Sequence, residues 1–341
     1  MVSPLIFVPD RQPTSRRRLV RWEQLVSAAW LADLTAGKSL RAAPSKNWRL
    51  FEVDLGVSQG FLLGHIPGAG YIDTNRLEHG PLWNKVPDQT LLQLLLENGI
   101  RHDTTVVLYG RNTLAAARAA HLMLYAGVKD VRLLDGGFAG WAGAGFPAEA
   151  GLPRQYPAVA DFGADFPSHP EYLIDTQQVK SLLQQRDGAL VSIRSWDEFI
   201  GNTSGYSYIE AKGDIPGTHW GRAGDDVNNM RDFHNPDGTM RAAGEIRAFW
   251  EQAGISADRQ TAFYCGTGWR ASVAFFYAWL MGWERISVYD GGWYEWSMDS
   301  RNPTVCGTRN LDPGRDDVAS MLAMPTKTAA NHASHALPAT A

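Results

Sequence analysis

One short stretch has the residue types and spacing for chemistry: Tyr264-Cys265-Gly266-Thr267-Gly268-Trp269-Arg270. It follows a short apolar run and leads into a helix-like one, Ala271 to Leu280, so the cysteine stands where a buried strand would end. Backbone N–H groups of such a loop and of the helix's first turn can converge on one point, where the helix dipole adds positive charge. A nest of that kind favours the thiolate over the thiol, which makes Cys265 a candidate nucleophile. Gly266 and Gly268 let the chain turn its N–H groups inward at conformations that a Cβ hinders. Thr267 can add a hydroxyl donor or cap the helix, and Trp269 can wall a pocket. Arg270 reads two ways, as a partner for an anionic substrate or as a brace tying the loop to a carboxylate.

The elements that must hold this loop occur twice. From Tyr109/Tyr264 to Trp141/Trp296 the chain repeats at a constant offset of 155 residues, with Val131 to Trp141 answering Ile286 to Trp296. Upstream, Gly64-His65-Ile66-Pro67-Gly68 pairs with Gly213-Asp214-Ile215-Pro216-Gly217. Self-similarity of this length means two copies of one domain. Val106 to Tyr109 and Thr261 to Tyr264 are apolar runs of the kind buried in parallel sheets, each followed by a helical stretch and a second such run. A right-handed βαβ unit puts the loop at the carboxyl end of its first strand. The expected fold is therefore α/β, two tandem domains, each a central mainly parallel sheet flanked by helices. The expected divisions are a flexible N-terminus over 1–18, a first domain over 19–147 and a linker rich in Pro, Gly and Ala over 148–170. A second domain over 171–310 and a disordered tail over 311–341 follow.

Composition narrows the function classes. A length of 341 residues suits two domains. A net charge of −4 gives no field that would recruit nucleic acid or an anionic membrane. The apolar runs stop well short of the roughly 20 residues that span a bilayer. Two cysteines, Cys265 and Cys306, exclude a disulfide scaffold. The first ten residues lack the basic and apolar regions of a signal sequence, so the chain reads as cytoplasmic; the periplasm stays open to a form trimmed of a targeting segment. No cofactor and no metal are expected, since His332 and His335 are isolated in the low-complexity tail.

Three motifs in order resemble those of the tandem-domain rhodaneses, a family of sulfurtransferases. Phe61 to Ile72 is similar to the family's amino-terminal signature and Val288 to Trp296 to its carboxyl-terminal one. Cys265 to Ala271 is similar to its active loop, with Gly three and Arg five residues after Cys. The Gly-Thr-Gly-Trp-Arg loop differs from the Arg-Lys-Gly-Val-Thr loop of typical thiosulfate sulfurtransferases and the Gly-Ser-Gly-Val-Thr loop of mercaptopyruvate sulfurtransferases. It looks like that of bacterial multidomain members of the thiosulfate class, a departure that leaves the donor open. The resemblance implies a persulfide on Cys265, a small anionic donor such as thiosulfate, and a thiol, cyanide or protein acceptor. It also implies a silent first domain, because Gly110 stands where Cys265 stands. The alternative is a persulfide carrier or protein-interaction module loaded by a protein donor. A related phosphatase loop holds one more residue between Cys and Arg than the four seen here, and a tighter nest suits one sulfur atom better than a phosphoryl group.

Other residues are candidates of the second rank. Arg194 aligns with an arginine that contacts substrate in related enzymes, but the family's acid beside it is Ser192 here. Without that acid Arg194 is expected to be free to meet an anion, or else to form a surface ion pair. Trp293 is expected to wall the substrate pocket. His219 and His234 are read as structural histidines, and nothing places Cys306 near the loop.

Overall fold

The computed structural model describes residues 19–307 apart from 57; the expected N-terminal segment 1–18 and the tail from 308 lie outside the described residues. In chain order the strands are β1 (Leu25–Val26), β2 (Trp48–Asp54), β3 (Gly70–Asp73), β4 (Glu78–His79), β5 (Asn84–Lys85), β6 (Thr105–Tyr109) and β7 (Asp130–Leu134). The second copy holds β8 (Leu173–Ile174), β9 (Gly188–Ser192), β10 (His219–Trp220), β11 (Gln260–Tyr264) and β12 (Ile286–Tyr289). The first sheet runs β1-β7-β6-β2-β3 and the second, read in the same sense, β8-β12-β11-β9-β10. Every pairing within these two sheets is parallel, and among the described residues the one antiparallel ladder is the β4–β5 hairpin. The order matches strand for strand, as duplication requires.

Burial explains the strand sequences. All five residues of β6 are buried, as are the last four of β11, because helices cover both faces. Helices Thr113–Ala126 and Trp269–Leu280 follow these strands and pack along each other across the domain boundary. Thirteen of the fourteen residues in the first of these helices are buried, Arg118 and His121 among them. A helix apolar on nearly every side belongs between two layers, and here the second layer is the other domain. Trp279, Trp283 and Trp296 are all buried in the core.

The two halves also clasp each other. The β4–β5 hairpin of the first domain reaches over so that Lys85 N–H donates to Asp290 (2.8 Å), at the end of β12. In return, a turn bridged by His234 and Met240 brings Met240 N–H to Asp135 (2.7 Å), at the end of β7. Each Asp-Gly-Gly turn is thus gripped by a hairpin of the other copy. Among the described residues no helix is long and apolar enough to cross a membrane.

Candidate active site

Cys265 follows β11, buried to 1 % exposure. Its Sγ accepts the Gly268 N–H at 3.2 Å. Gly268 stands at the N-cap of the following helix with φ +107, a left-handed conformation that costs glycine little, and no side chain caps that helix. The equivalent helix after β6 is capped by Asn112, whose side chain accepts the Leu114 N–H. In the second copy the sulfur atom instead accepts from the N-cap residue itself, and the first-turn N–H groups carry no side-chain cap. The loop's carbonyls turn the other way: Cys265 C=O accepts Trp293 N–H (2.8 Å) and Gly266 C=O accepts Tyr294 N–H (3.1 Å).

Gly266 is required by contact rather than by dihedral. A Cβ there would lie 2.3 Å from the Tyr206 ring. The Tyr206 hydroxyl accepts from Arg270 (2.9 Å), and burial pushes its own ionisation above the usual phenol range. Arg270 itself is fully buried and makes a bidentate pair with Glu198, both contacts at 2.8 Å. Glu198 also accepts from the Ser195 backbone (2.9 Å) in the capping box of helix Trp196–Phe199. Of the two readings of Arg270, the guanidinium takes the bracing geometry. Burial alone would raise the Glu198 carboxyl; the charge and hydrogen bonds of Arg270, joined by Arg194, outweigh it and hold the group at about 2.

Arg194, expected either to meet an anion or to form a surface ion pair, is buried and paired. Arg194 is 0 % exposed; it donates to the Gly213 carbonyl (2.7 Å), Asp214 (3.3 Å) and Glu198 (3.4 Å), and lies over the Trp293 ring. The acid missing at Ser192 comes instead from Asp214, to which the Ser192 hydroxyl donates at 2.8 Å. That aspartate stands in the second Ile-Pro-Gly motif, where the first copy has His65. Trp293, expected to wall the pocket, is 0 % exposed beneath the loop, its indole N–H donates to the Ala211 carbonyl (2.9 Å), and it is not among the residues lining the cleft.

Above the loop lies a cleft of about 520 Å³, lined in part by Thr267, Trp269 and Arg270. Its other walls were not read from the sequence. Tyr206 and Tyr208 come from the second domain, and Glu78 and Trp83 from the hairpin of the first. The Trp269 indole donates to Glu78 Oε1, while Glu78 Oε2 accepts from Arg118 (3.1 Å). Arg118 then reaches Asp290 (2.5 Å), so a buried Glu–Arg–Asp chain of both domains lies under the loop. Desolvation lifts Glu78 to about 7 against the pull of Arg118. The one sequence signal for this chain was an arginine inside an otherwise apolar helix, which burial makes affordable only with partners. Neither His219 nor His234 lines the cleft. Cys306 is a free, exposed thiol packed beside Gly201 and Gly213.

Comparison with known proteins agrees with this geometry. A family model for the rhodanese-like domain matches twice, over residues 35–144 and 175–299. The chain is 54% identical to the thiosulfate sulfurtransferase YnjE of Escherichia coli, over 89% of this chain and 70% of that protein. It is 32% identical to the sulfur carrier protein TtuD of Thermus thermophilus, over 80% of this chain and 93% of that one. The crystal structure of YnjE superposes with a TM-score of 0.84 at 55% identity, covering 88% of this chain and 71% of that one. EanB, solved with a cysteine persulfide and ergothioneine in a tetrahedral intermediate state, gives 0.82 at 41% identity, covering 85% and 72%. With the domain matched in both halves and the fold shared along most of its length, this chain belongs to the rhodanese-like family.

Proposed function

We propose that the protein is a sulfurtransferase that moves a sulfane sulfur from thiosulfate, or a similar small anionic donor, to a thiophilic acceptor through a persulfide on Cys265. The observation that carries this is the Gly268 N–H directed at a lone buried sulfur at the carboxyl end of β11, in a loop whose Thr267, Trp269 and Arg270 line the cleft above it. In the first half-reaction the Cys265 thiolate attacks the outer sulfur of the donor. The donor's S–S bond breaks and sulfite leaves with the electron pair. In the second, an acceptor thiolate, cyanide or protein thiol attacks the outer sulfur of the persulfide, and the Cys265 thiolate is released. Gly266, Thr267, Gly268, Trp269 and Arg270 form the nest that receives the anionic sulfur. The division of labour assigns catalysis to the second domain, 171–310, and leaves the first, 19–147, without a nucleophile.

The name of TtuD, a sulfur carrier, supports a second reading in which a protein exchanges sulfur with Cys265 and turnover of small molecules is slow. One experiment decides between failure and success of the main reading: thiosulfate and cyanide are mixed with protein, and thiocyanate is followed. Cys265→Ser abolishes the product and Cys306→Ser leaves it intact. Intact mass then shows one reductant-removable sulfur atom confined to Cys265. Equal turnover with and without Cys265 sinks the mechanism, and rapid loading only from a protein donor favours the carrier.

A further inference from the structure

The two halves differ again on the sheet faces turned away from the helices that pack across the domain boundary. In the first half, Trp30 lies at the third position of helix Ala28–Thr35 and Arg132 lies in the middle of β7. The Arg132 guanidinium sits 5.3 Å from the centre of the Trp30 ring and donates to Asp130 (2.8 and 2.7 Å) and to the Ala42 carbonyl (2.7 Å). In the second half the repeat offset puts Ser287 where Arg132 stands, and helix Thr176–Gln184 carries Gln178 at its own third position. The two helices start alike, with Trp30 N–H on the Ser27 hydroxyl (3.2 Å) and Gln178 N–H on the Asp175 carboxylate (2.8 Å). The connection that carries Ala42, residues 36–47, shrinks to 185–187. A stacked ring, a guanidinium and a covering loop are thus exchanged for two smaller side chains.

What remains is a groove of about 330 Å³, lined by the apolar Ile174 and Leu182 and by Gln177, Gln185 and Gln260. Ser287 lines it too; the residue is 1 % exposed, and its hydroxyl meets no hydrogen-bond partner among the described residues. A buried hydroxyl left unpaired is costly, so it points to a group that pairs with it. None of the lining residues is titratable, and a charged ligand would give up its hydration there without a counter-ion. Each amide offers a donor and an acceptor side by side. We propose that this groove is a second binding site, for a small, neutral, flat nitrogen heterocycle whose edge carries neighbouring donor and acceptor atoms, the chemistry of the base in a free nucleoside. The first half shows the shape of the slot, since there it holds one planar group against another. An amide side chain can pair such an edge at two points, as it does with adenine. The volume is within the range of small-molecule sites. No residue lining the cleft above the Cys265 loop lines this groove, so the site stands apart from the sulfur-transfer reading.

The test is calorimetric titration of the full chain with three probes: adenosine, flat and neutral; glucose, neutral but not flat; and benzoate, flat but charged. Adenosine is expected to bind about tenfold tighter than either of the others, the size of one two-point amide contact. Ser287→Met fills the groove, and Gln260→Leu keeps the bulk and loses the amide; each is expected to weaken adenosine binding by about tenfold. Melting temperature shows whether the variants fold, and if Ser287→Met does not, Gln260→Leu and Gln185→Leu decide alone. Thiocyanate formation by Cys265 is expected to be unchanged in all of them, and its failure in the parent leaves the binding result untouched. No binding of adenosine, equal or tighter binding of glucose or benzoate, or parent affinity in the folded variants overturns the proposal. So does an oligoadenylate that binds where adenosine does not, since that points to a strand and not to a free nucleoside.

Discussion

The two loops after β6 and β11 follow one backbone path and differ in what their side chains do with it. Gly110 C=O accepts Phe138 N–H (3.0 Å) as Cys265 C=O accepts Trp293 N–H. In both copies a glycine with φ near +55, Gly137 or Gly292, lets the next turn pass so close to the loop that a Cβ would touch its carbonyl oxygens. Around the active loop stand Glu78, Arg118, Trp269 and Asp290. The corresponding places around the silent loop hold His234, Val273, Leu114 and Asp135, with His234 matched to Glu78 by its partner in the hairpin ladder. The ion chain is gone, and a void of about 20 Å³ replaces the cleft of about 520 Å³. The duplication kept the scaffold and the mutual clasp. What differs is a polar chain that crosses from the first half to the second.

The sharpest way to break this comparison is to exchange the two loop residues. Cys265→Gly copies the silent loop and is expected to remove persulfide formation completely, read by intact mass after incubation with thiosulfate. Gly110→Cys is not expected to create a second site. Its Cβ would fall 2.4 Å from the Asn112 carbonyl oxygen and 3.0 Å from that of Val53, and the void beside it is too small for a donor. A sulfur adduct on Cys at 110, in a protein of unchanged stability, would show that the silent half is merely missing its nucleophile.

Next in size is the brace. Glu198→Gln leaves Arg270 and Arg194 buried without their shared carboxylate, and removal of one partner from a buried pair costs about 3–5 kcal/mol. Denaturant unfolding measures the loss. In the silent loop Arg111 pairs with Glu52 while itself partly exposed; burial already raises the Glu52 carboxyl, so on Arg111→Met it can take up a proton, and the loss is expected to be smaller. Similar losses from the two would mean that the active loop is not specially braced.

The Cys265 loop, the repeat and the α/β order were legible because each is written in contiguous residues: an apolar run, a Gly-rich turn, a second apolar run. The cleft was not, since its partners are far apart in the chain. Glu78 meets a tryptophan 191 residues later, and Arg118 meets an aspartate 172 residues later. The partners of Arg194 were hidden for a related reason. The strand-end position of the family's acid is Ser192, and nothing local says that Asp214 takes over its place. What sequence could have signalled was the cost: Arg118 and His121 inside an apolar helix require partners, and the only unassigned face of that helix is the one toward the other domain.

A smaller effect tests the loop's packing. Gly266→Ala sets a methyl against the Tyr206 ring and must push it off Arg270, at about 1–3 kcal/mol for an overpacked contact. Tyr206→Ala in the same protein makes room, so the double variant is expected to unfold at higher denaturant than the sum of the two losses allows. Strict additivity would place the ring elsewhere. The silent loop has Arg111 at this position and tolerates a full side chain.

The gentlest test uses the two hairpin residues, because they titrate in opposite senses. Burial lifts Glu78 to about 7, partly opposed by Arg118 and the Trp269 indole, so between the ordinary carboxyl value of roughly 4.3 and 7 the folded protein holds a proton that the unfolded chain has lost. Glu78 therefore makes the fold less stable as pH rises through that window. Burial lowers His234 to about 4, so between 6.5 and 4 the unfolded chain holds the extra proton and stability falls as pH falls. Melting curves at pH 5 and pH 7 read both. Relative to the parent, Glu78→Gln should be less destabilising at pH 7 than at pH 5, and His234→Gln less destabilising at pH 5 than at pH 7. The difference for each is a few degrees for domains of this size. If both variants shift with pH in the same direction, the two hairpin residues do not titrate in opposite senses, and burial is not what sets them apart.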